Sequence, residues 1–347
     1  MKKSIFLLSL IAFSLQLYAE TSAELAYPSL PSNTRLRVVA SNVYNYLTDF
    51  EANNASCQTQ GAFDTKTDEM ATVFTGLQAD IVALCEVQQD DDILSYIVDA
   101  MNKKVGKNVY DYVLDGSRYN NPAPGGYGSI KCGYIYRFDK FSEGSRYSTN
   151  PTDPTFKLRM QVISFTEKST KEKFVLSLNH FQAKNSDPNG TKRQEQANTL
   201  IKYLNNNPSK LGDPDILIVG DLNADISDPE TTIRDIVDGG YEEQLLKYDS
   251  KAYSYTHIGQ RQLIDHAMAN STMANQITGA YVYHLTNYDN FSDHDVVLVG
   301  VNLGNRSAID YVTPEDDTTT RHKIYRNGQL YIQVGEHLFD VMGRKVE

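Results

Sequence analysis

Short apolar runs that end in glycine or polar residues recur along the chain and predict buried strands. The clearest run, from Ile216 to Val219, leads into Gly220, Asp221 and Asn223. Side chains two positions apart on a strand share a face, so Asp221 and Asn223 are expected to point the same way. A carboxylate beside a carboxamide suits a site that handles water, a metal ion or a phosphate oxygen. A strand followed by an Asx-rich turn explains the same residues without a function.

The same pattern predicts other strands and, where apolar residues recur at helical spacing, helices. The other predicted strands are Arg35–Ser41, Asp80–Glu86, Cys132–Arg137, Phe156–Phe165, Phe174–His180, Leu263–Met268 and Val296–Val301. Helices are predicted from an N-cap at Asp64, after Asp92, and through Ala197–Leu204. This alternation of strands and helices, together with adjacent hairpins, predicts an α/β sandwich that contains mixed sheets.

The ends of the chain differ from the middle in composition. Lys2 and Lys3 precede a short apolar run and the small residue Ala19, which predicts a secretory signal peptide over residues 1–20. A membrane anchor is the alternative, but the run is short for a bilayer span. Residues 304–320, rich in Asp and Thr, are interpreted as a linker, and residues 321–347 as a short strand-like tail. We therefore expect a soluble, exported protein with no stable membrane insertion.

Composition limits the classes of function. The 347 residues suffice for a large core, and the net charge of −11 argues against broad, unaided adhesion to nucleic acid. It leaves open a nuclease whose contacts are local and whose metal ion offsets phosphate charge. The three cysteines match no zinc-binding spacing. Cys85 lies in a predicted strand, whereas Cys57 and Cys132 lie nearer loops, so we hypothesise a Cys57–Cys132 disulfide.

Polar residues stand where several predicted strands end. They are Asn42, Glu86, His180, Asp221, Asn223, Asp265, Asp293 and His294. Each alone has a structural explanation, such as a turn cap, a solvated acid or a satisfied histidine. Their recurrence indicates a site, because strand ends gathered at one edge of a sheet are where α/β proteins build sites.

In this order the motifs resemble those of the endonuclease/exonuclease/phosphatase superfamily, to which deoxyribonuclease I belongs. They are Asn42, Cys85-Glu86-Val87, Asn179-His180, Gly220-Asp-Leu-Asn-Ala-Asp225, Ile264-Asp265 and Ser292-Asp-His294, within a predicted catalytic domain over residues 34–303. The segments Asn42 to Leu47 and Gly61 to Lys66 are similar to those of bacterial extracellular nucleases. The resemblance implies a four-layer α/β/β/α sandwich of two mixed sheets.

The resemblance also implies a metal site and a phosphate contact. Glu86 would hold Mg²⁺, with Asn42 beside it and Asp293 reaching the same ion. Mn²⁺ is expected to substitute for Mg²⁺, and a structural Ca²⁺ is compatible with the resemblance. Arg159 would hold a phosphate oxygen. Whether the site holds one metal ion or two stays open.

The catalytic groups implied by the resemblance surround the phosphorus. Asp221 and Asn223 would orient the attacking water and grip the phosphate. His180 and His294 would flank the phosphorus, with Asp265 fixing the imidazole of His294. Phosphodiester hydrolysis needs an activated water and a proton for the leaving oxygen, and these residue types supply both. The division of proton transfer among His180, His294 and Asp221 stays open.

The hypothesis that follows is a secreted, divalent-metal-dependent nuclease that degrades extracellular DNA, and RNA as a second substrate, with little sequence preference. One alternative is a sphingomyelinase or another lipid or small-molecule phosphodiesterase. A second is a catalytically silent binding protein. A lipid enzyme is expected to show an exposed apolar hairpin, and no loop is rich in Phe, Leu or Trp. We expect a monomer.

A nuclease with this net charge requires cations that are concentrated locally. The candidates are Arg118, Lys131, Arg137, Arg159, Lys184, Lys192 and Arg193, with Tyr119, Tyr127 and Tyr134 as candidates for stacking on bases or sugars. Ordinary solvated charges and core aromatic residues are the alternative.

The tail has a resemblance of its own. Ile324–Ile332 and Phe339–Lys345 resemble the C-terminal sorting segment of type IX secretion. The resemblance implies a contact with that secretion machinery and delivery through the periplasm to the cell surface or medium. An extra hairpin packed on the domain is the structural alternative.

Overall fold

The computed structural model describes most of the chain between Tyr27 and Val346. The described residues are 27–48, 50, 57–115, 130–149, 155–156, 159–287, 289–304, 321–326, 329–334, 337–340 and 345–346. The predicted signal peptide and all but the first residue of the predicted linker lie outside them. No helix within these residues is long and apolar enough to cross a membrane. Contacts divide the chain into a unit that ends at Leu303 and a second that begins at Gly304.

Strands and helices alternate along the first unit. Its strands are β1 (Leu36–Tyr46), β2 (Ile81–Gln88), β3 (Tyr110–Tyr112), β4 (Ile130–Arg137), β5 (Phe141–Ser148), β6 (Met160–Glu167), β7 (Lys173–Asn179), β8 (Ile216–Asp221), β9 (Tyr241–Glu243), β10 (Tyr255–His257), β11 (Gln260–Gln262), β12 (Asp265–Asn270), β13 (Ile277–Tyr283) and β14 (Val296–Val301). Its α-helices are α1 (Gln60–Gly76), α2 (Ile93–Val105), α3 (Thr191–Asn206), α4 (Pro208–Leu211), α5 (Thr232–Asp238), α6 (Gln244–Tyr248) and α7 (Ser271–Ala274), and a 3₁₀ turn covers Lys184–Ser186.

Two mixed sheets form the centre of this unit. The strand order is β13-β14-β1-β2-β4-β3 in the first sheet and β5-β6-β7-β8-β12-β9 in the second. β1 runs parallel to β2, and β7 runs parallel to β8, whereas β12 and β14 run antiparallel to their neighbours. Parallel neighbours end at the same edge of a sheet, so each sheet brings two strand ends together.

Three apolar cores separate four layers. Val38 and Leu176 lie in the core between the two sheets. Val39 packs with Ile97 of α2 on the outer face of the first sheet, and Leu200 of α3 packs on the outer face of the second. Consecutive residues of β1 therefore enter different cores, which is why the strand reads as a continuous apolar run. The predicted four-layer α/β/β/α sandwich is confirmed.

The predicted strands that are buried on both faces are confirmed at β1, β2, β7, β8 and β14. The first helix starts earlier than predicted, because Thr59 and not Asp64 is its N-cap, and the Thr59 side chain accepts a hydrogen bond from the Ala62 N–H. The sequence does not predict β5, whose residues are mostly exposed and form no apolar run. It also does not predict the two-stranded hairpin of β10 and β11.

The hypothesised Cys57–Cys132 disulfide is wrong. No disulfide joins the three cysteines, and all three are buried. Cys57 lies in the core between the first sheet and its helices, whereas Cys132 lies in the core between the two sheets. The first sheet itself therefore separates the two residues. The Cys132 sulfur lies 4.0 Å from that of Cys85 instead.

The second unit is a small antiparallel sheet. Its strands are β15 (Arg321–Arg326), β16 (Gln329–Val334) and β17 (His337–Asp340). β16 pairs with both of the others, so the tail that was predicted to be strand-like forms a three-stranded meander.

Candidate active site

Both sheets bring polar residues to one cavity. The parallel strands of each sheet end beside it, and the antiparallel strands β12 and β14 begin beside it. The predicted residues that line the cavity are Glu86, His180, Asp221, Asn223, Asp293 and His294. Asn42 and Asp265 lie directly behind them, hydrogen-bonded to Asp221 and His294 respectively. The structure therefore gathers every strand-end residue that the sequence singled out.

The backbone around the cavity is held in strained conformations. φ is +47° at Tyr44, +56° at Asn45, +64° at Glu86 and +48° at Asn223. Asparagine tolerates this left-handed region, but for residues such as Tyr44 and Glu86 it costs roughly 1–2 kcal/mol, so the surrounding fold maintains these conformations. Gly220 has φ +118°, and a Cβ there would lie 2.2 Å from the Asn179 carbonyl oxygen. Only glycine therefore fits where β8 approaches the end of β7.

Asn42 connects two carboxylates. Its Nδ2 donates to Glu86 Oε1 at 3.0 Å and to Asp221 Oδ2 at 2.9 Å. Its Oδ1 accepts from the Tyr44 N–H at 3.0 Å. The Asn45 N–H donates to the second oxygen of Glu86, also at 3.0 Å. Both oxygens of Glu86 are thus oriented by an N–H donor, and each retains a lone pair for a further ligand.

Asp221 is buried and is held by the turn that follows β8. The Asn223 N–H donates to Asp221 Oδ1 at 2.8 Å, and Asn223 Nδ2 donates to Oδ2 at 3.1 Å. Burial raises the pKa of Asp221 to about 7. A carboxyl group with this pKa changes protonation state near neutral pH, which suits a group that accepts a proton from water.

His294 is paired with an acid on one side and faces the cavity on the other. Its Nδ1 lies 2.7 Å from Asp265 Oδ2, and its Nε2 lies 3.9 Å from Asp221 Oδ2. Burial alone would lower the pKa of His294, but the carboxylates of Asp265 and Asp221 outweigh burial and raise it to about 10. The imidazole is therefore charged at neutral pH and directs an N–H toward the cavity.

His180, unlike His294, is an uncharged imidazole. Its Nε2 lies 3.7 Å from both Glu86 Oε1 and Asp221 Oδ2, which is too long for a hydrogen bond. Burial lowers the pKa of His180 well below its usual value, and the positive charges of Arg159 and His294 lower it further. The two acids do not offset these effects, so His180 is neutral. Its Nδ1 is buried and has no hydrogen-bond partner among the described residues.

The cavity has a volume of about 350 Å³ and includes residues that the sequence analysis did not single out. Among them are Tyr44, Tyr255, His257 and Gln262. The ring of Tyr255 packs on that of His294 with centroids 4.7 Å apart. Tyr255, His257 and Gln262 belong to the hairpin of β10 and β11, whose strands have three residues each. Strands this short carry no apolar period, so only the tertiary structure reveals these residues.

Two groups of side chains have the chemistry to hold a cation. The carboxylates of Glu86 and Asp293 both line the cavity. Burial raises the pKa of Tyr44, and the negative charges of Asp293 and Glu86 raise it further. Asp221, Asp265 and His294 offer ligand atoms within 4.8 Å of one another. Mg²⁺ prefers oxygen ligands and open positions for water. Because the His294 imidazole is already paired with Asp265, the oxygen atoms at Glu86 and Asp293 fit Mg²⁺ better.

Part of the predicted cation cluster is wrong. Lys131 and Arg193 are buried and form ion pairs with Asp115 and Glu230, so neither is positioned to reach a substrate. Tyr134 is also buried, in the core between the sheets. These residues lie in strands or helices whose packing decides their exposure, and the local sequence does not show that packing.

The other predicted cations differ in their surroundings. Arg137 and Lys192 form ion pairs with Asp139 and Glu195 at the surface. Lys184 lines the cavity. Arg159 is not among the lining residues in the described part of the chain, although its charge reaches His180 and its carbonyl accepts from the His180 N–H at 2.8 Å. Arg118, Tyr119 and Tyr127 lie outside the described residues.

Comparison with known proteins identifies relatives. The model of the Endonuclease/Exonuclease/phosphatase family matches residues 54–294. No curated protein matches the chain. An endonuclease/exonuclease/phosphatase from Bacteroides vulgatus is 15% identical, covers 77% of this chain and 98% of its own, and has a TM-score of 0.55.

Of two other similar structures, one is a complex with a reaction product and the other is of a protein that is named for its substrate. D. rerio TDP2, solved in complex with a single-strand DNA product, is 14% identical, with a TM-score of 0.52, and covers 76% of this chain and 98% of its own. The mannosyl-6-phosphatase Bt3783 of Bacteroides thetaiotaomicron is 16% identical, with a TM-score of 0.50 and the same coverage of both chains. At these identities the similarity establishes the fold.

Proposed function

Because the chain belongs to the endonuclease/exonuclease/phosphatase family, we propose that it is a divalent-metal-dependent phosphodiesterase that cleaves DNA, and RNA as a second substrate, with little sequence preference. The family is hydrolytic and mostly metal-dependent. Hydrolysis is supported by the side chains around the cavity, which supply a carboxyl group with a pKa near neutrality, a charged imidazole and an oxygen-rich cation site.

The carboxylates of Glu86 and Asp293 would hold the metal ion, which supplies positive charge for the phosphate oxygens when bound. Asp221 accepts a proton from the attacking water as the new oxygen–phosphorus bond forms. The imidazolium of His294, fixed by Asp265, gives its Nε2 proton to the leaving oxygen as the old bond breaks. We propose this assignment for the division of proton transfer that the sequence leaves open; the pKa values of Asp221 and His294 support it.

One observation favours a nucleic acid over other phosphodiesters. The rings of Tyr255 and His257 lie on one wall of the cavity, nearly parallel, with an angle of 9° between their planes and centroids 6.2 Å apart. Tyr255 packs on His294, so this wall begins beside the reacting groups. Parallel rings that face a cavity offer stacking surfaces to a planar base, and every base has a face that can stack. Slight sequence preference follows from this mode of contact.

Replacing His257 with alanine is expected to lower kcat/KM on an oligonucleotide about tenfold, because one stacking contact contributes roughly 1–3 kcal/mol. His257 is exposed and touches none of the proposed proton-transfer groups, so kcat at saturating substrate is expected to change little. H257F keeps a planar ring and is expected to retain most of the activity. Steady-state kinetics on a fluorescent oligonucleotide measures both variants.

The matched control for His257 is Gln260, its cross-strand partner in the same hairpin. Gln260 is exposed and is not among the cavity-lining residues in the described part of the chain, so Q260A is expected to behave like the wild type. An oligonucleotide with an abasic residue beside the scissile bond is expected to be insensitive to H257A. Equal losses of kcat/KM on the normal and abasic substrates would show that His257 does not contact a base.

A panel of substrates tests the proposed function as a whole. Purified protein is incubated with plasmid DNA, RNA, sphingomyelin and mannose 6-phosphate, each with Mg²⁺ and with excess EDTA. Cleavage of the nucleic acids that EDTA abolishes is the expected result. Rapid hydrolysis of sphingomyelin or of the sugar phosphate, with the nucleic acids left intact, would show that the protein is the corresponding lipid or small-molecule enzyme and not a nuclease.

A second candidate, the lipid or small-molecule phosphodiesterase, is supported by a different observation. Ile258, at the tip of the same hairpin, is 88% exposed. Among the described residues that line the cavity, Lys184 is the one lysine or arginine, and it is already paired with Asp228 at 2.7 Å. An apolar tip beside a cavity whose described lining offers little unpaired positive charge fits an uncharged or membrane-bound phosphodiester better than a long polyanion.

Export is a further part of this proposal. It is supported by the basic, then apolar composition of residues 1–20 and by the resemblance of the tail to a sorting segment. Removing residues 321–347 is expected to leave catalysis unchanged, because no proposed site residue lies there, and to retain the protein in the producing cell. Assays of activity in cell and medium fractions measure this distribution. Equal amounts of both forms in the medium would exclude a sorting role for the tail.

A further inference from the structure

Lys66 is a buried cation that the proposed chemistry leaves without a role. It lies on α1, and only 3% of its surface is exposed. Its Nζ donates to the carbonyl oxygen of Tyr44 at 2.8 Å and lies 5.7 Å from the centre of the Tyr44 ring. Burying an ammonium group is costly unless its interactions are favourable, so this contact needs a structural explanation.

The contact falls on the strained turn beside the proposed metal site. Tyr44 and Asn45 are consecutive residues with φ of +47° and +56°. Asparagine adopts this left-handed region more readily than most residues, but tyrosine does not, so the conformation of Tyr44 carries a steric cost that the contacts around it must offset. The Tyr44 N–H is held by Asn42 Oδ1 at 3.0 Å, and the Tyr44 carbonyl is held by Lys66. The peptide groups on both sides of Tyr44 are therefore fixed.

The turn in turn supports a carboxylate. The Asn45 N–H donates to Glu86 Oε2 at 3.0 Å, while Asn42 Nδ2 donates to Oε1 at the same distance. The Tyr44 carbonyl belongs to the peptide group that carries the Asn45 N–H. In a trans peptide the C=O and N–H bonds lie in one rigid plane and point in opposite directions. Lys66 therefore sets the direction of the N–H that orients Glu86.

We propose that Lys66 is a positioning residue, which holds the Tyr44–Asn45 peptide so that its N–H fixes the Glu86 carboxylate for metal binding. The metal-binding part rests on the proposed function. The positioning part rests on the contacts alone.

The test compares K66M, K66R and K104M in the full chain. K66M keeps the length and apolar stem of the side chain and removes the donor, whereas K66R keeps a donor and a charge. Lys104 is the matched control, because its Nζ forms an ion pair with Asp68 of α1 at 2.7 Å. Neither residue is among those that line the cavity in the described part of the chain. Two measurements are made on each protein: Mn²⁺ affinity by electron paramagnetic resonance, and hydrogen exchange of the peptide that contains Asn45.

K66M is expected to bind Mn²⁺ about 10- to 100-fold more weakly, as loss of an outer-shell partner does. Activity is expected to recover when the metal concentration is raised. Exchange of the Asn45 amide is expected to become faster in K66M, to lie near the wild-type rate in K66R and to be unchanged in K104M. A purely structural role would lower the melting temperature without changing metal affinity or this one amide.

Unchanged Asn45 exchange in folded K66M would overturn the proposal. If K66M does not fold, K66Q is measured in the same way, and unchanged exchange and Mn²⁺ affinity in that variant would also overturn it. Absence of Mn²⁺ binding in the wild type would instead overturn the proposed metal site. The exchange measurement would still decide the role of Lys66.

Discussion

Replacing Glu86 with glutamine is expected to lower turnover by more than about a thousandfold, because a metal ligand contributes several kcal/mol to the transition state. The structure adds a second reason. Both oxygens of Glu86 accept from N–H groups, of Asn42 and Asn45, so the amide of a glutamine must turn its NH₂ toward one of these donors. The variant therefore loses a negative charge and one hydrogen bond together.

The measurement is turnover of a nucleic acid across a titration of Mg²⁺, together with Mn²⁺ binding. Glu69 provides the control, because it lines the adjoining cavity of about 560 Å³ and contacts none of the proposed proton-transfer groups. E69Q is expected to keep activity within about twofold. If E86Q shows near-normal, Mg²⁺-dependent activity, Glu86 is not a ligand, and the group of Asp221, Asp265 and His294 becomes the metal site.

Replacing His294 with alanine is expected to lower kcat by roughly 10²–10⁴-fold, the usual contribution of general acid–base catalysis. D265N is expected to show a smaller loss, because it keeps the shape of the contact to Nδ1 and removes its charge. That charge raises the pKa of His294, so its loss moves the pKa down. If protonated His294 is the acid, the alkaline limb of the rate profile moves to lower pH in D265N.

A second histidine–acid pair in this chain serves as the control for His294. His284 Nδ1 lies 2.7 Å from Asp295 Oδ2, the same separation as between His294 and Asp265, but the His284 side chain is 46% exposed. H284A is therefore expected to leave kcat nearly unchanged. A comparable loss in H284A and H294A would indicate a general effect of histidine removal. A change in KM alone in H294A would reassign His294 to substrate binding.

The sequence predicted the parts of the fold where local pattern and burial coincide. β1, β2, β7 and β8 are buried on both faces, so their apolar runs identify them, and the polar residues that follow these runs lie at or beside one cavity. The β5 strand and the hairpin that carries His257 are exposed and polar or very short. Their conformation depends on neighbouring strands, which single-sequence patterns do not contain.

The roles of charged and sulfur-containing residues depended most on tertiary structure. Lys66 and Lys131 have the same side chain as any solvated lysine, yet both are buried. Cys57 and Cys132 both lie near loops in the sequence, but a sheet separates them. In each case the deciding fact is which face of a sheet or helix meets a core, and residues distant in the chain determine it.

The position of β14 has a consequence for how the protein is made. β14, the last strand of the first unit, lies between β1 and β13 and pairs with both, so the first sheet is incomplete without it. A growing polypeptide therefore cannot close the first sheet until the ribosome has passed Val301. His294, which precedes β14, is also the last of the proposed catalytic residues to be translated. A nascent chain that ends before His294 therefore lacks both a proposed catalytic residue and the strand that joins β1 to β13, and it is expected to be inactive without a separate inhibitor.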